Sequence, residues 1–344
     1  MARPYRDPFP TLGSYLAAVI HSAIGDQRDP RLEPAAVAGL TGDVPSAGGF
    51  LVPTEHSDGL HERMYETGSI LARCAPWPAG REQLIVPLID ERSRANGSRF
   101  GGVAMNWTLP GGEITASKPK FAAREFNRRG LKGLIYFVSE MLQDVPTLEA
   151  IFSRLFALEG AFVLEREIVA GEGTQGPLGI LNSDCLITVS KESGQAGGTI
   201  VAGNVVNMYA RLWSASKRRA VWLVNGDITA QLYSLTWATG TGIVSLFTWS
   251  PDGTPLLMGR PVLEVEYCPT LGSKGDIILA DLGEYMLSMS DIALRFSADM
   301  RLLYDESAFR FVMRVDGQSA WAGPVTPLNS ATTVSPFVTL EARG

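Results

Sequence analysis

Residues suited to acid–base, nucleophilic or metal chemistry are few and poorly placed in this chain. Its three histidines, His21, His56 and His61, all precede residue 62 of 344. A Ser–His–acid or Cys–His arrangement must therefore draw its base from the first part of the chain. His56 and His61 sit among carboxylates in EHSDGLHE (55–62), a composition that suggests a metal. Their spacing puts them on different faces of a helix, and Gly59 interrupts it, so surface histidines are the better reading. Cys74, Cys185 and Cys268 are odd in number and far apart, which suits a reducing compartment without a disulfide framework. No isolated carboxylate pair stands in an apolar setting fit for acid–base work. The sequence EREIVAGEGTQGPLGILN (165–182) carries Gly171, Gly173, Gly176 and Gly179, and glycine-rich loops often cradle phosphates. A phosphate site requires such a loop ahead of a helix, where free N–H groups face the anion. Here the loop follows a helix, and no Lys or Arg lies between Glu167 and Ser190. A helix C-terminus and turn is the expectation. No catalytic, cofactor-binding or metal-binding residue is predicted, and no cofactor.

The elements that would position any site point to a different task. The run PTLEAIFSRLFALEGAFVLEREIVAG places Leu148, Ile151, Phe152, Leu155, Leu158, Phe162 and Val169 at helical spacing. Asp144 and Pro146 mark its start and Gly171 its stop, predicting a helix over 147–171 about 36 Å long. Gly160 in its middle predicts close packing there. Residues 1–49 are polar and punctuated by Pro and Gly, with a short helical patch over 11–25. They read as an arm that cannot bury a core of its own. Between residues 81 and 123 two extended runs flank a polar, Gly-rich tip. In it Val103, Met105, Trp107 and Leu109 alternate with small or polar residues, which predicts a strand with one apolar face; Ile114 is the remaining apolar residue. A two-stranded hairpin is marginal alone, so covering Trp107 and its row calls for a neighbouring molecule; a flexible lid is the alternative reading. Beyond the glycines, Val205, Met208, Tyr209, Leu212 and Trp213 share a helical face. AVWLV (220–224) reads as a buried strand, and 225–236 as a helix with Asp227 as candidate cap. Strand-like segments follow over 255–269, 276–282, 284–290, 292–298, 308–318 and 335–340. Helices and strands are segregated, so the fold class is α+β.

With 45% hydrophobic and 19% charged residues, the chain can bury sizeable cores. Its net charge of −6 excludes a tight nucleic-acid clamp; the basic clusters REFNRRGLK (124–132) and SKRRA (216–220) read as solvated or subunit-contact faces. No apolar run is long enough to span a membrane and the first residues carry no signal-peptide core, so a soluble, cytoplasmically made product is expected.

GGFLVP (48–53), VSEMLQDVPTLEAIF with EREIVAGEGTQGPLGILN, AVWLVNGD, LMGRPVLEVEYCP, FRFVMRVDGQ and SPFVTL, in this order, resemble the major capsid proteins of tailed bacteriophages, the Hong Kong 97-type fold. The resemblance runs from about residue 11 to 340. It implies an N-terminal arm (1–52), a peripheral domain (53–80, 124–203 with a spine helix over 147–171, and closing strands over 300–344), an extended loop (81–123) and an axial α/β domain (204–299). It implies a non-enzymatic virion subunit, assembled in the host cytoplasm as hexamers and pentamers of an icosahedral shell around double-stranded DNA. That DNA would be contacted weakly and non-specifically. A scaffolding protein and a portal are the implied partners, with a decoration protein a further candidate and no membrane. The loop residues Val103, Met105, Trp107, Leu109, Ile114 and Lys118 would touch a neighbouring subunit. Some relatives weld a loop Lys to an Asn beside a Glu. Lys118 or Lys120 match the Lys, but Asp305 and Val312 stand at the other two positions, so no weld is expected. The alternatives are an encapsulin-type cellular shell and, remotely, an enzyme of unknown type.

Overall fold

In the computed structural model the described residues are 14, 17, 18, 49–51, 64, 69–77, 83–95, 97–110, 113, 116–138, 145–240, 242–290, 292–301 and 306–344. The three histidines and Ile114 lie outside them. The first strands are β1 (Gly49–Leu51), β2 (Ala75–Pro76), β3 (Gln83–Ile89), β4 (Phe121–Asn127) and β5 (Arg129–Val138). After the helix α1 (Val145–Ala170) come β6 (Ile187–Val189), the helix α2 (Ala202–Arg211), β7 (Val221–Val224) and the helix α3 (Thr229–Tyr233). Then follow β8 (Thr236–Thr239), β9 (Gly242–Ser245), β10 (Phe247–Trp249), β11 (Pro255–Leu257), β12 (Arg260–Glu264) and β13 (Ile277–Ala280). The last strands are β14 (Tyr285–Met289), β15 (Ala293–Arg301), β16 (Glu306–Ser319) and β17 (Phe337–Leu340). The chain divides into two units. One comprises Met1–Ala72, Arg128–Leu164 and Met289–Val315; the other comprises Arg73–Asn127, Glu165–Ser288 and Asp316–Gly344.

In the first unit β1, β15, β16 and β5 pair side by side, all antiparallel. Strand period decides what β16 buries: Phe309, Phe311, Met313 and Val315 are all buried, at alternate positions. Gly133 lies opposite Phe311 in the register, and a Cβ there would stand 3.1 Å from the Phe156 ring. Its absence lets α1 approach the sheet, where Phe156 stacks on Phe311 with centroids 4.6 Å apart. Gly160 serves the same purpose on the helix, since an added Cβ would lie 3.0 Å from Met64 Cε. The close packing expected at Gly160 is therefore present. Leu155, Leu158 and Phe162 form a partly exposed stripe on α1.

The second unit is built on a seven-stranded sheet in the order β10-β11-β12-β7-β13-β17-β6, with β12–β7 and β17–β6 parallel. Its central strands VWLV, IILA and FVTL are buried throughout, as in a sheet covered on both faces; the one polar side chain, Thr339, donates to the Ile277 carbonyl at 3.0 Å. Trp222 is wholly buried and donates its Nε1–H to the Leu257 carbonyl at 2.9 Å. Val205, Met208 and Leu212 pack from α2 and the residue beyond it; Ile228 and Leu232 pack from the segment around α3. The expected helix over 225–236 is shorter, a 3-10 turn Gly226–Ile228 followed by α3. Its cap is Asn225 rather than Asp227: the Asn225 side-chain oxygen accepts the Asp227 N–H at 3.0 Å.

Two of the four glycines of 165–182, Gly171 and Gly179, are needed for close approach. A Cβ on Gly171 would lie 2.3 Å from the Pro177 oxygen, and one on Gly179 would lie 2.4 Å from the Gly171 nitrogen. Of the four, Gly173 alone has a positive φ, +75°. Asn182 donates its side-chain amide to the carbonyls of Ala170 and Gly171 at 3.1 and 2.9 Å, satisfying the open end of α1. At the far end of the chain Arg343 and Asp276 form an ion pair with both side chains fully buried. Asp276 also accepts the N–H groups of Gly272 and Ile277, each at 2.9 Å, and Arg343 donates to the Thr199 carbonyl at 2.8 Å. All three cysteines are free thiols and buried. Burial pushes the Cys268 thiol up to about 12, with Asp276 adding to the shift. It also raises Cys74 and Cys185.

Candidate assembly interface

The candidate contact residues sit on the loop between β3 and β4, in the second unit. The two strands pair over their whole length, from Gln83 opposite Asn127 to Ile89 opposite Phe121. One face of this stem is anchored: Val86 and Phe126 pack with Met286, flanked by Trp77, Leu88 and Ala320. The other face is open, and it carries Ile85 at 61%, Phe121 at 66% and Ile89 at 43% exposure. Past the stem, Lys120 donates its N–H to the Gly101 carbonyl at 2.9 Å and accepts from Asp90 N–H at 3.0 Å. This folds a turn over residues 99–103 back onto the end of β4, with Arg99 and Val103 exchanging backbone bonds of 2.7 and 2.9 Å. Phe100, Gly101 and Gly102 have φ of 51°, 74° and 116°. A Cβ on Gly101 would meet the Lys120 oxygen at 2.5 Å, so only glycine fits there.

Beyond that turn the expected strand over Val103–Leu109 is absent. Residues 104–109 form no ladder, and Asn106 and Thr108 are exposed along with their apolar neighbours. The alternation is real in the sequence, but a pleat needs a partner strand, and none of the described residues supplies one. The apolar residues themselves stand free of their own chain: Met105 is 96% exposed, Trp107 105% and Leu109 83%. Val103 is half-buried by the turn, and Lys118 is exposed. Ile114 and Asp305 lie outside the described residues, and Val312 is half-buried opposite Lys132 in the β16–β5 register.

Sequence inspection did not single out Ile85, Ile89 and Phe121, although their even spacing on β3 and their register across β4 put them on one face. It also missed a second exposed apolar surface. The ribbon β8–β9 carries Trp237 opposite Val244, with Ile243 beside them. Tyr233, Phe247 and Trp249 form an aromatic trio with centroids 4.7–6.1 Å apart, and Tyr233 and Trp249 are more than half exposed. Short aromatic runs such as these read equally well as core, so the sequence carried no usable signal.

Among the described residues no group of His, Cys, Asp and Glu could hold a metal. The buried thiols are held protonated. Glu165 accepts from the Tyr267 hydroxyl in a partly buried bond, and burial raises the phenol. What the arrangement offers is surface: a braced hairpin presenting apolar side chains to something outside the chain.

Comparison with known proteins supplies the context. A sequence profile described as the phage capsid family matches residues 48–329. The chain belongs to the phage capsid family. This capsid subunit shares its α+β fold with solved phage capsid proteins. The capsid of a native GTA particle, solved with C5 symmetry, superposes with a TM-score of 0.58 at 15% identity, over 91% of this chain and 100% of that one. A solved structure from Mycobacterium phage Adephagia gives 0.50 at 15% identity, over 80% and 89%. The satellite phage P4 procapsid, which includes a size-determination protein, gives 0.50 at 12% identity, over 83% and 100%. Comparison with curated proteins finds no match. The resemblance drawn from the six sequence segments is thereby established, for the family and for the Hong Kong 97-type fold.

Proposed function

We propose that this capsid subunit is the major shell protein of a tailed phage. Copies assemble as hexamers and pentamers into an icosahedral shell that encloses double-stranded DNA, formed in the host cytoplasm and ending in the virion. Each hairpin lies on a neighbouring copy through Val103, Met105, Trp107, Leu109, Ile114 and Lys118. The open stem face of Ile85, Ile89 and Phe121 adds to the contact. A scaffolding protein and a portal are the expected partners of the assembly, with a decoration protein a further candidate. The net charge of −6 supports weak, non-specific contact with the packaged DNA. The protein is a building element and not an enzyme.

One observation carries this reading: Met105, Trp107 and Leu109 stand almost wholly in solvent on a hairpin whose stem is firmly held. An isolated soluble protein rarely exposes a contiguous apolar surface of more than a few hundred Å², and such surfaces mark association sites. Closed symmetry multiplies many modest contacts into a stable particle. The test is negative-stain microscopy of the purified protein alongside size-exclusion chromatography. Closed particles of uniform diameter, eluting at megadalton size, are expected. A monodisperse species of 37.1 kDa at every concentration would overturn the proposal.

A further inference from the structure

We infer that Arg94, Arg124, Trp213 and Trp321 are positioning residues that aim the hairpin. They form a clamp in which one segment, 316–326, runs along the stem, holding the second leg over 124–127 and the first leg just past the stem's far end, at 92–94. This rests on the reading above that the hairpin carries the contact between copies.

The two legs run paired along the stem, and both are bound to that segment. On the first leg, Ser93 and Thr326 form an isolated parallel bridge. Arg94 donates its N–H to the Thr326 carbonyl at 2.8 Å, and Thr326 donates its N–H to the Arg92 carbonyl at 3.0 Å. On the second leg, the Asn127 N–H donates to Asp316 at 2.7 Å and the Gln318 amide to the Glu125 carbonyl at 2.8 Å. Arg124 donates to the Trp321 carbonyl at 2.9 Å. A stack of side chains joins the two grips. The Arg94 guanidinium lies 4.4 Å over the Trp213 ring, and Trp213 meets Trp321 edge-on at 5.7 Å. Trp321 Nε1–H donates to Glu284 at 3.0 Å, and Glu91 holds Arg94 from the other side.

Leverage makes such a clamp necessary. Seven residues of antiparallel strand span about 23 Å. A swing of about 10° at the root therefore moves the far end of the stem by about 4 Å, well beyond the roughly 0.5 Å tolerance of a specific contact. Two strands alone resist bending weakly. Planar groups stacked between the legs oppose both splaying and rotation, which backbone bonds on one leg do not.

The experiment uses the full chain with nitroxide labels at Glu113→Cys and Asp252→Cys, both exposed; the native cysteines are buried and stay unlabelled. Pulsed electron resonance then reads the distance distribution, and light scattering reads assembly. Arg94→Ala is expected to broaden the distribution at least about twofold and to lower the assembly rate at least about tenfold. Its unfolding midpoint should stay near that of the labelled parent. Arg94→Lys, which keeps a cation over Trp213, should restore part of both effects. Trp321→Phe, a milder change inside the stack, should broaden the distribution in the same direction. An unchanged distribution in both Arg94→Ala and Trp321→Phe overturns the clamp. So does assembly of Arg94→Ala at the parent's rate. Should the unlabelled wild-type chain form no closed particles, the shell proposal fails, while the label distances still decide whether the clamp holds the loop.

Discussion

Replacing Trp107 by Ser separates a side chain's role in folding from its role in assembly. Trp107 is 105% exposed, so its removal takes away no packing within the subunit. The unfolding free energy of the isolated subunit should therefore stay within about 0.5 kcal/mol of wild type, as for other surface changes. Assembly is a different matter. A Trp side chain presents about 150–250 Å² of surface, worth about 4–6 kcal/mol at ~25 cal/mol per Å² if a neighbour covered all of it. Coverage of half that area leaves about 2–3 kcal/mol for each subunit contact, which corresponds to roughly 30- to 150-fold in the concentration at which particles form. The assay is a concentration series read by size-exclusion chromatography and light scattering, paired with urea unfolding of the unassembled chain. Wild-type assembly together with a destabilised subunit would refute the reasoning, because it would place Trp107 in the fold and not between copies.

The remaining expectations concern the fold. Arg343→Ala removes one partner of a fully buried ion pair, so urea unfolding should show a loss of about 3–5 kcal/mol. Gly171→Ala puts a methyl group 2.3 Å from the Pro177 oxygen, and should cost about 1–3 kcal/mol by the same measurement. The Cys268 thiol is raised from 9.0 to about 12, so the folded state binds its proton more tightly than the unfolded one. Its contribution is fully present below pH 9 and is lost as pH rises from there to about 12, at up to ~1.4 kcal/mol per pH unit. Unfolding midpoints against pH should fall less steeply in Cys268→Ala, and an identical slope would count against this origin.

Long and strongly patterned elements were legible in the chain itself. The spacing from Leu148 to Val169 predicts a helix over 147–171, and the structure has one over Val145–Ala170. VWLV and IILA read as buried strands because four consecutive apolar residues have no polar face to offer solvent. The glycines after α1 signalled a junction rather than a phosphate site, since helix direction follows from residue order alone. Hydrophobic periodicity is a local property, and a local reading recovers it.

Register, pairing and exposure are not local, and there the tertiary structure decided. Val103, Met105, Trp107 and Leu109 alternate as a strand would, yet the chain folds back through Gly101 onto Lys120 and leaves no partner for a ladder. Asn225 and Asp227 are both good caps on paper, and the turn geometry selects Asn225. Ile85, Ile89 and Phe121 become one apolar face once β3 and β4 are in register. Arg94 and Arg124 come to the same segment as Trp321 across gaps of some two hundred residues or more, a distance no periodicity can bridge. The sequence by itself determined that there are apolar side chains to hide and segments able to carry them. Which of them remain in water was settled only by the long-range packing, because burial depends on what the rest of the chain places alongside.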